Sequence, residues 1–279
     1  TLANFTSGAR VYSNDTYYVT GLGKDALTTF ETTTGNGDNN CASMPWTCQH
    51  MVAIGDSALY NTTGSRQSTA IGAYALYNLI SGTYVTALGA YAGYNLDNNI
   101  YFTTLIGAYA GYNLTDGNDN TIIGSEAAYN GNHAGYNTII GRRAGYNLGG
   151  GDRNTYIGTE SGYSTVGDDN VFIGYNAGYD ETGSDKLYIS NSSTNNLITG
   201  DFSEGDLSLG QTSGTVTTLN DFDVDGDATV TGASTLSGAV SAGSTLAVTG
   251  ATTLSSSLDV DGNTTLNNGL AVSGATTLS

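Results

Sequence analysis

The sequence predicts an all-β protein whose main body is a parallel β-solenoid and whose C-terminal part is a second, different β repeat. Three observations carry that prediction. A glycine recurs at Gly55, Gly72, Gly89, Gly107, Gly124, Gly141, Gly158 and Gly174, at spacings of 17, 17, 18, 17, 17, 17 and 16. A tyrosine stands five residues after every one of these glycines. From Val224 a shorter period takes over, with Val, Leu or Ala at every sixth position. Self-similarity at a fixed period decides the architecture, so it is read before any motif.

Each position of the unit has a physical reason. The residue before the glycine is always Ile or Leu: Ile54, Ile71, Leu88, Ile106, Ile123, Ile140, Ile157 and Ile173. The tyrosines are Tyr60, Tyr77, Tyr94, Tyr112, Tyr129, Tyr146, Tyr163 and Tyr179. Alanine lies three after the glycine except at Ser161, and asparagine six after it except at Ser164 and Asp180. A glycine in every unit opposes helix, while Thr, Ile, Tyr and Val favour strand. The units are too short for a βαβ crossover. One solenoid coil per unit remains, with Gly and Asn supplying the turns. Like positions then stack at a strand spacing of about 4.8 Å, so eight coils make a rod of roughly 40 Å. Tyr on Tyr and Asn on Asn form ladders that favour exact repetition.

The strand residues imply a partner. Thr121-Ile-Ile-Gly124 and Thr138-Ile-Ile-Gly141 carry two large apolar residues in succession, as do Leu105-Ile106 and Phe172-Ile173. Successive strand residues point to opposite faces, so both faces need burial. One fills the coil; the other would lie exposed as a long apolar stripe unless identical rods cover it. An obligate homo-oligomer is expected.

The register divides the chain into 1–50, a degenerate first repeat with an insert; 51–183, eight regular coils; 184–220, a neck that loses both periods; and 221–279, a shaft. The degenerate unit is Leu22-Gly-Lys-Asp-Ala-Leu27, which aligns with Ile54-Gly-Asp-Ser-Ala-Leu59. Read from Gly21, Gly-Leu-Gly-Lys-Asp-Ala26 matches GxGxxA, but with no helix to open, a dinucleotide site is not expected. The insert holds Cys41 and Cys48, a disulfide-closed loop in an oxidising compartment. It also holds Trp46, either a contact residue or a plug for the coil end. In the shaft, Leu246-Ala-Val-Thr-Gly-Ala-Thr-Thr-Leu254 returns at Leu258 and Leu270 with a 12-residue period. Short strands, Leu-x-Val and Thr-x-Leu, joined at Gly and Ser or Asn, fit it better than a three-sided helix of hexads.

Units such as Asn120-Thr-Ile-Ile-Gly-Ser-Glu-Ala-Ala-Tyr129 resemble the head repeats of trimeric autotransporter adhesins, and the related repeats of phage tail fibres. The resemblance runs from Gly55 to about Gly183, with a unit longer and richer in Tyr than is usual there. It implies a left-handed β-roll, three chains side by side and adhesive function. The segment 221–279 resembles the shafts of viral and phage fibres.

Charge narrows the partners. Lys and Arg number 7 against 25 Asp and Glu, a net charge of -18, which disfavours nucleic acid and anionic membrane surfaces. No apolar run reaches the length of about 18 residues that would span a bilayer. Thr1 and Ser279 read as the ends of a processed chain or of part of a longer one. Glu126, Arg143 and Glu160 share one position in successive units and form a charge ladder. An arginine between two carboxylates suits ion pairing better than the acid and base of a glycosidase. Tyr74, Tyr91 and Tyr109 make a further ladder, serving either inter-coil packing or contact with a sugar. Asp223, Asp225 and Asp227 alternate through Asp-Val-Asp-Gly-Asp, a solvated strand face or a structural calcium site; no other cofactor is suggested. The expected function is that of a non-enzymatic extracellular fibre or adhesin, at a cell surface or on a virion, whose partners are its own copies and a glycan or protein receptor. An end-to-end filament and a polysaccharide-degrading phage spike are the rival readings.

Overall fold

A tripeptide, Thr-x-Ile or a close variant, makes the strand of each coil, and the glycine after it turns the corner. The computed structural model describes residues 10–14, 19–27, 49–115, 117–210, 216–218, 223–225, 227–237, 240–269, 271 and 273–274. Its strands are β1 (Arg10–Asn14), β2 (Val19–Gly23), β3 (Val52–Ile54), β4 (Thr69–Ile71), β5 (Ser81–Thr83), β6 (Thr86–Leu88), β7 (Asn98–Tyr101), β8 (Thr104–Ile106), β9 (Thr121–Ile123), β10 (Thr138–Ile140), β11 (Thr155–Ile157), β12 (Val171–Ile173), β13 (Lys186–Ser190), β14 (Asn196–Asp201) and β15 (Asp206–Leu209). No described residue is helical.

The chain is a parallel β-solenoid of about eight coils with a repeat of about 17 residues. Strands β2, β3, β4, β6 and β8 to β13 lie side by side and parallel. Equivalent residues pair: Thr104 with Thr121, Leu105 with Ile122, Ile106 with Ile123. The degenerate unit joins the stack, Thr20 pairing with Val52 and Leu22 with Ile54. On the far side of the coil, β5 and β7 pair in parallel. Between the two sides the turns themselves bond from coil to coil, as in Leu59 N–H to Ala75 O at 3.0 Å and Asn61 N–H to Tyr77 O at 3.0 Å.

The recurrent glycine meets two demands at once. Gly72 and Gly89 have φ of 137° and 139°, a region closed to most side chains. A Cβ on Gly72 would stand 2.5 Å from the carbonyl carbon of Gly89 in the next coil. Glycine therefore stacks on glycine, and a column of them follows.

The core changes its filling from the first coils to the last. In the first coils the strand centre is small (Ala53, Ala70) and the residue four after the glycine is large (Leu59, Leu76), all fully buried. In the last coils the strand centre is large (Tyr156, Phe172) and the opposing residue is Gly162 or Gly178. A Cβ on Gly162 would stand 2.7 Å from the Tyr156 ring. A buried asparagine column adds polar order: Asn137 donates its backbone N–H to Asn120 Oδ1 (2.9 Å) and its side-chain N–H to Gly151 O (3.0 Å).

Both ends of the parallel stack were unmarked in the repeat. At the start, β1 runs antiparallel to β2, and at the finish β13, β14 and β15 form an antiparallel meander. The segment 184–220, expected as a neck, thus begins as one more rung of the same sheet, Val171 pairing with Leu187. Contacts divide the chain into Thr1–Leu219 and Asn220–Ser279. Among the described residues of the second unit none lies in a strand, and Val230, Leu236, Leu246, Leu254 and Leu258 are 53 to 72% exposed. No strand of the described residues corresponds to the short strands expected from its 12-residue period.

Candidate functional site

Side-chain columns are what this fold offers to a partner, since each coil repeats the last at one rung's height. The expectation of two buried strand faces meets the chain as follows. The inner residue, such as Ile122 or Ile139, is fully buried. The outer residue is not: Leu88 is 40% and Ile157 38% exposed, and the rest of that ladder (Ile54, Ile71, Ile106, Ile123, Ile140, Ile173) is half-buried. A single chain buries one face and leaves an apolar stripe, flanked by Thr69, Thr86, Thr104, Thr121, Thr138 and Thr155, along the other.

The main tyrosine column is continuous. Neighbouring rings from Tyr60 to Tyr179 lie 4.7 to 5.1 Å apart and within 11° of parallel. Tyr74, Tyr91 and Tyr109 form a second column at 4.9 and 5.0 Å, tilted against the first. Each ring face is thus covered by the next ring, and what the columns offer outward is ring edges and hydroxyls. Crowding raises the phenol pKa of Tyr77, Tyr91, Tyr129 and Tyr179, first by desolvation and then by the neighbouring tyrosines.

Where the second tyrosine column ends, charge replaces it. Arg143 lies 3.6 Å from Glu126 and 3.0 Å from Glu160, and Arg142 lies 3.3 Å from Glu160. The Arg143 guanidinium also sits 5.0 and 4.8 Å from the Tyr146 and Tyr163 ring centres and donates to Tyr163 Oη at 2.6 Å. Both carboxylates are tied to one cation, an arrangement that fastens coils together.

A groove of about 970 Å³ runs beside the asparagine ladder. Asn61, Asn78, Asn95, Asn113 and Asn130 pass amide hydrogen bonds down the rod at 2.8 to 3.0 Å, the last to Asn147. Thr63, Ile80, Asp97, Thr115 and Asn132 form the other wall.

The repeat drew no attention to one column. Two residues before the strands of the stack, His50, Gln67, Tyr84, Phe102, Asp119, Tyr136, Arg153 and Asp169 turn the corner with φ of 49 to 62°. Their chemical types differ, so no letter recurs. The available signal was an exclusion: none is β-branched, as positive φ requires.

Cys41, Trp46 and Cys48 lie outside the described residues. Asp223, Asp225 and Asp227 are exposed, and no three metal-ligating side chains gather among the described residues. No family model matches this chain, and no curated protein or solved structure matches it.

Proposed function

We propose that the chain is a subunit of a trimeric extracellular fibre with an adhesive, non-enzymatic role, at a cell surface or on a virion. The observation that carries this reading is the double exposure of apolar ladders on one chain. The Leu88 and Ile157 stripe lies open on the sheet, and the Val and Leu positions of 224–266 lie open in the second unit. Soluble chains rarely leave such stripes uncovered, and a cyclic assembly covers the same patch on every copy. Three rods, sheet faces together, would leave the tyrosine columns and the asparagine groove outward. The likeness of Asn120–Tyr129 to adhesin head repeats supports the same reading.

Against the rival filament stand the antiparallel strands at the sheet ends, which interrupt the parallel edge that end-to-end growth would extend. Against the degrading spike stands the pairing of Glu126 and Glu160 with one arginine. The test is native mass by light scattering on the soluble chain. Three times 28.6 kDa is the expected result; a discrete 28.6 kDa species would end the fibre reading, and a broad series of large species would restore the filament.

A further inference from the structure

The corner column holds aromatics that the fold does not ask for. Gln67, Asp119 and Arg153 occupy the same left-handed backbone position as Tyr84, Phe102 and Tyr136, so the coil closes equally well on a polar residue. That conformation suits glycine best and, among residues with a side chain, Asn and Asp. Yet Tyr84, Phe102 and Tyr136 are there, 47, 58 and 62% exposed. Strain combined with exposed apolar surface points to a use outside the fold.

These rings differ from the packed tyrosine columns. Among the described residues Tyr84 and Phe102 stack only on each other, at 5.1 Å, with Gln67 and Asp119 on the rungs outside the pair. Tyr136 forms no ring stack and no cation–π contact among the described residues. The guanidinium on the next rung, Arg153, is held instead by Asp169 at 2.7 and 2.8 Å. Beside Tyr136 opens a cleft of about 480 Å³ lined by Asn99, Asn118, His133 and Asp152. Asn118 Oδ1 accepts the Tyr101 N–H at 2.8 Å, and Asp152 Oδ1 accepts the Gly135 N–H at 2.7 Å. Each side chain is anchored by one oxygen, which leaves the Asn118 amide NH₂ and the second Asp152 oxygen for a ligand.

We infer that this corner cleft is a binding subsite for a neutral, extended glycan. An open aromatic face receives the C–H face of a pyranose ring, while a fixed amide donor and a fixed carboxylate acceptor take its hydroxyls. Phe102 and Tyr136 stand two rungs apart, about 10 Å at the strand spacing of about 4.8 Å. A sugar chain lying along the rod would meet an exposed aromatic ring at both, the Phe102 ring with one face already on Tyr84. The net charge of -18, with Asp152 in the cleft and Asp119 at the corner between Phe102 and Tyr136, sets like charge against sialylated or sulfated chains. This inference rests on the adhesive reading and supplies its ligand class.

The experiment is a printed array of neutral and acidic oligosaccharides probed with the full chain and with Tyr136→Asn, which suits the left-handed corner. Native mass and thermal melting are measured on both proteins. Neutral glycans should bind the wild-type chain, and Tyr136→Asn should weaken them at least tenfold with mass and melting unchanged. The proposal fails if no neutral glycan binds, if Tyr136→Asn binds as well as wild type, or if acidic glycans are preferred. It also fails if Tyr136→Asn alters the native mass, because the ring would then be a contact between copies. Glycan binding through Tyr136 by a 28.6 kDa monomer would uphold this site while ending the fibre reading, so the two fail separately.

Discussion

Leu59 and Leu76 hold φ of 51° and 52°, at the place where Gly145, Gly162 and Gly178 stand in later coils. A left-handed leucine costs about 1 to 2 kcal/mol relative to an ordinary conformation, and its burial beside Ala53 or Ala70 offsets that. The same space beside Tyr156 has no room for it. Strand centre and corner residue therefore act as one volume shared by two positions, and their substitutions should be coupled. Tyr156→Ala alone should cost about 3 to 5 kcal/mol through the cavity it leaves. Gly162→Leu alone should cost at least about 1 to 3 kcal/mol by overpacking. The double variant restores the Ala53 and Leu59 pattern, so its cost should fall short of the sum of the two single costs by about 1 to 3 kcal/mol. Urea unfolding of all three variants measures this, and simple additivity would refute the shared volume. The buried asparagine column obeys another residue-scale rule. Asn137→Leu strands the Gly151 carbonyl and the Asn154 N–H, which Asn137 now satisfies at 3.0 and 2.8 Å. A loss of about 1 to 3 kcal/mol for each orphaned group is expected from the same unfolding measurement.

At the scale of the strand, one tripeptide serves two environments. Ile122 is 1% exposed inside its coil, whereas Ile157, on the outer face three coils' length along the rod from Leu105, is 38% exposed. A charge on the inner face sits in the core with no partner, so Ile122→Asp should prevent folding, with loss of the β circular-dichroism signal. A charge on the outer face stays in water in the isolated chain. Leu88→Asp with Ile157→Asp should keep the β signal while native mass drops to 28.6 kDa. Retention of the oligomer by that double variant would place the interface elsewhere. The sequence showed the alternation of faces, because two successive apolar residues allow no other reading in a strand. It did not show which ladder stays open, since Ile122 and Ile123 are the same residue type, and only the direction of the turn at Gly124 puts one inside.

Over the whole molecule, legibility followed repetition. The glycine column was plain in the sequence because φ near 137° and the approach of the next coil recur on every rung. The tyrosine and asparagine ladders were plain for the same reason. The antiparallel strands Arg10–Asn14 and Asn196–Asp201 occur once each and leave no period to find. The corner cleft was hidden because Tyr136, Asp119 and Arg153 share a backbone conformation rather than a chemistry. Repetition also concentrates one kind of titrating group in one place. Tyr77, Tyr91, Tyr129 and Tyr179 all have pKa values raised above 10.0, and Tyr188 is pushed up to about 12, burial leading in each case. In the unfolded chain these phenols ionise near their ordinary value, so the folded form binds their protons more tightly. The stabilisation this represents is complete below pH 10.0 and is lost as pH rises through the higher folded values. The fold should therefore keep its thermal melting point up to about that pH, as far as the tyrosines govern it, and lose it steeply between there and pH 12. Phenolate absorbance and circular dichroism followed in one alkaline titration measure both events. The phenolates of Tyr77, Tyr91, Tyr129, Tyr179 and Tyr188 should appear late and together with the loss of β signal; ionisation of these five around pH 10.0 with the β signal intact would mean their columns are loosely stacked in solution.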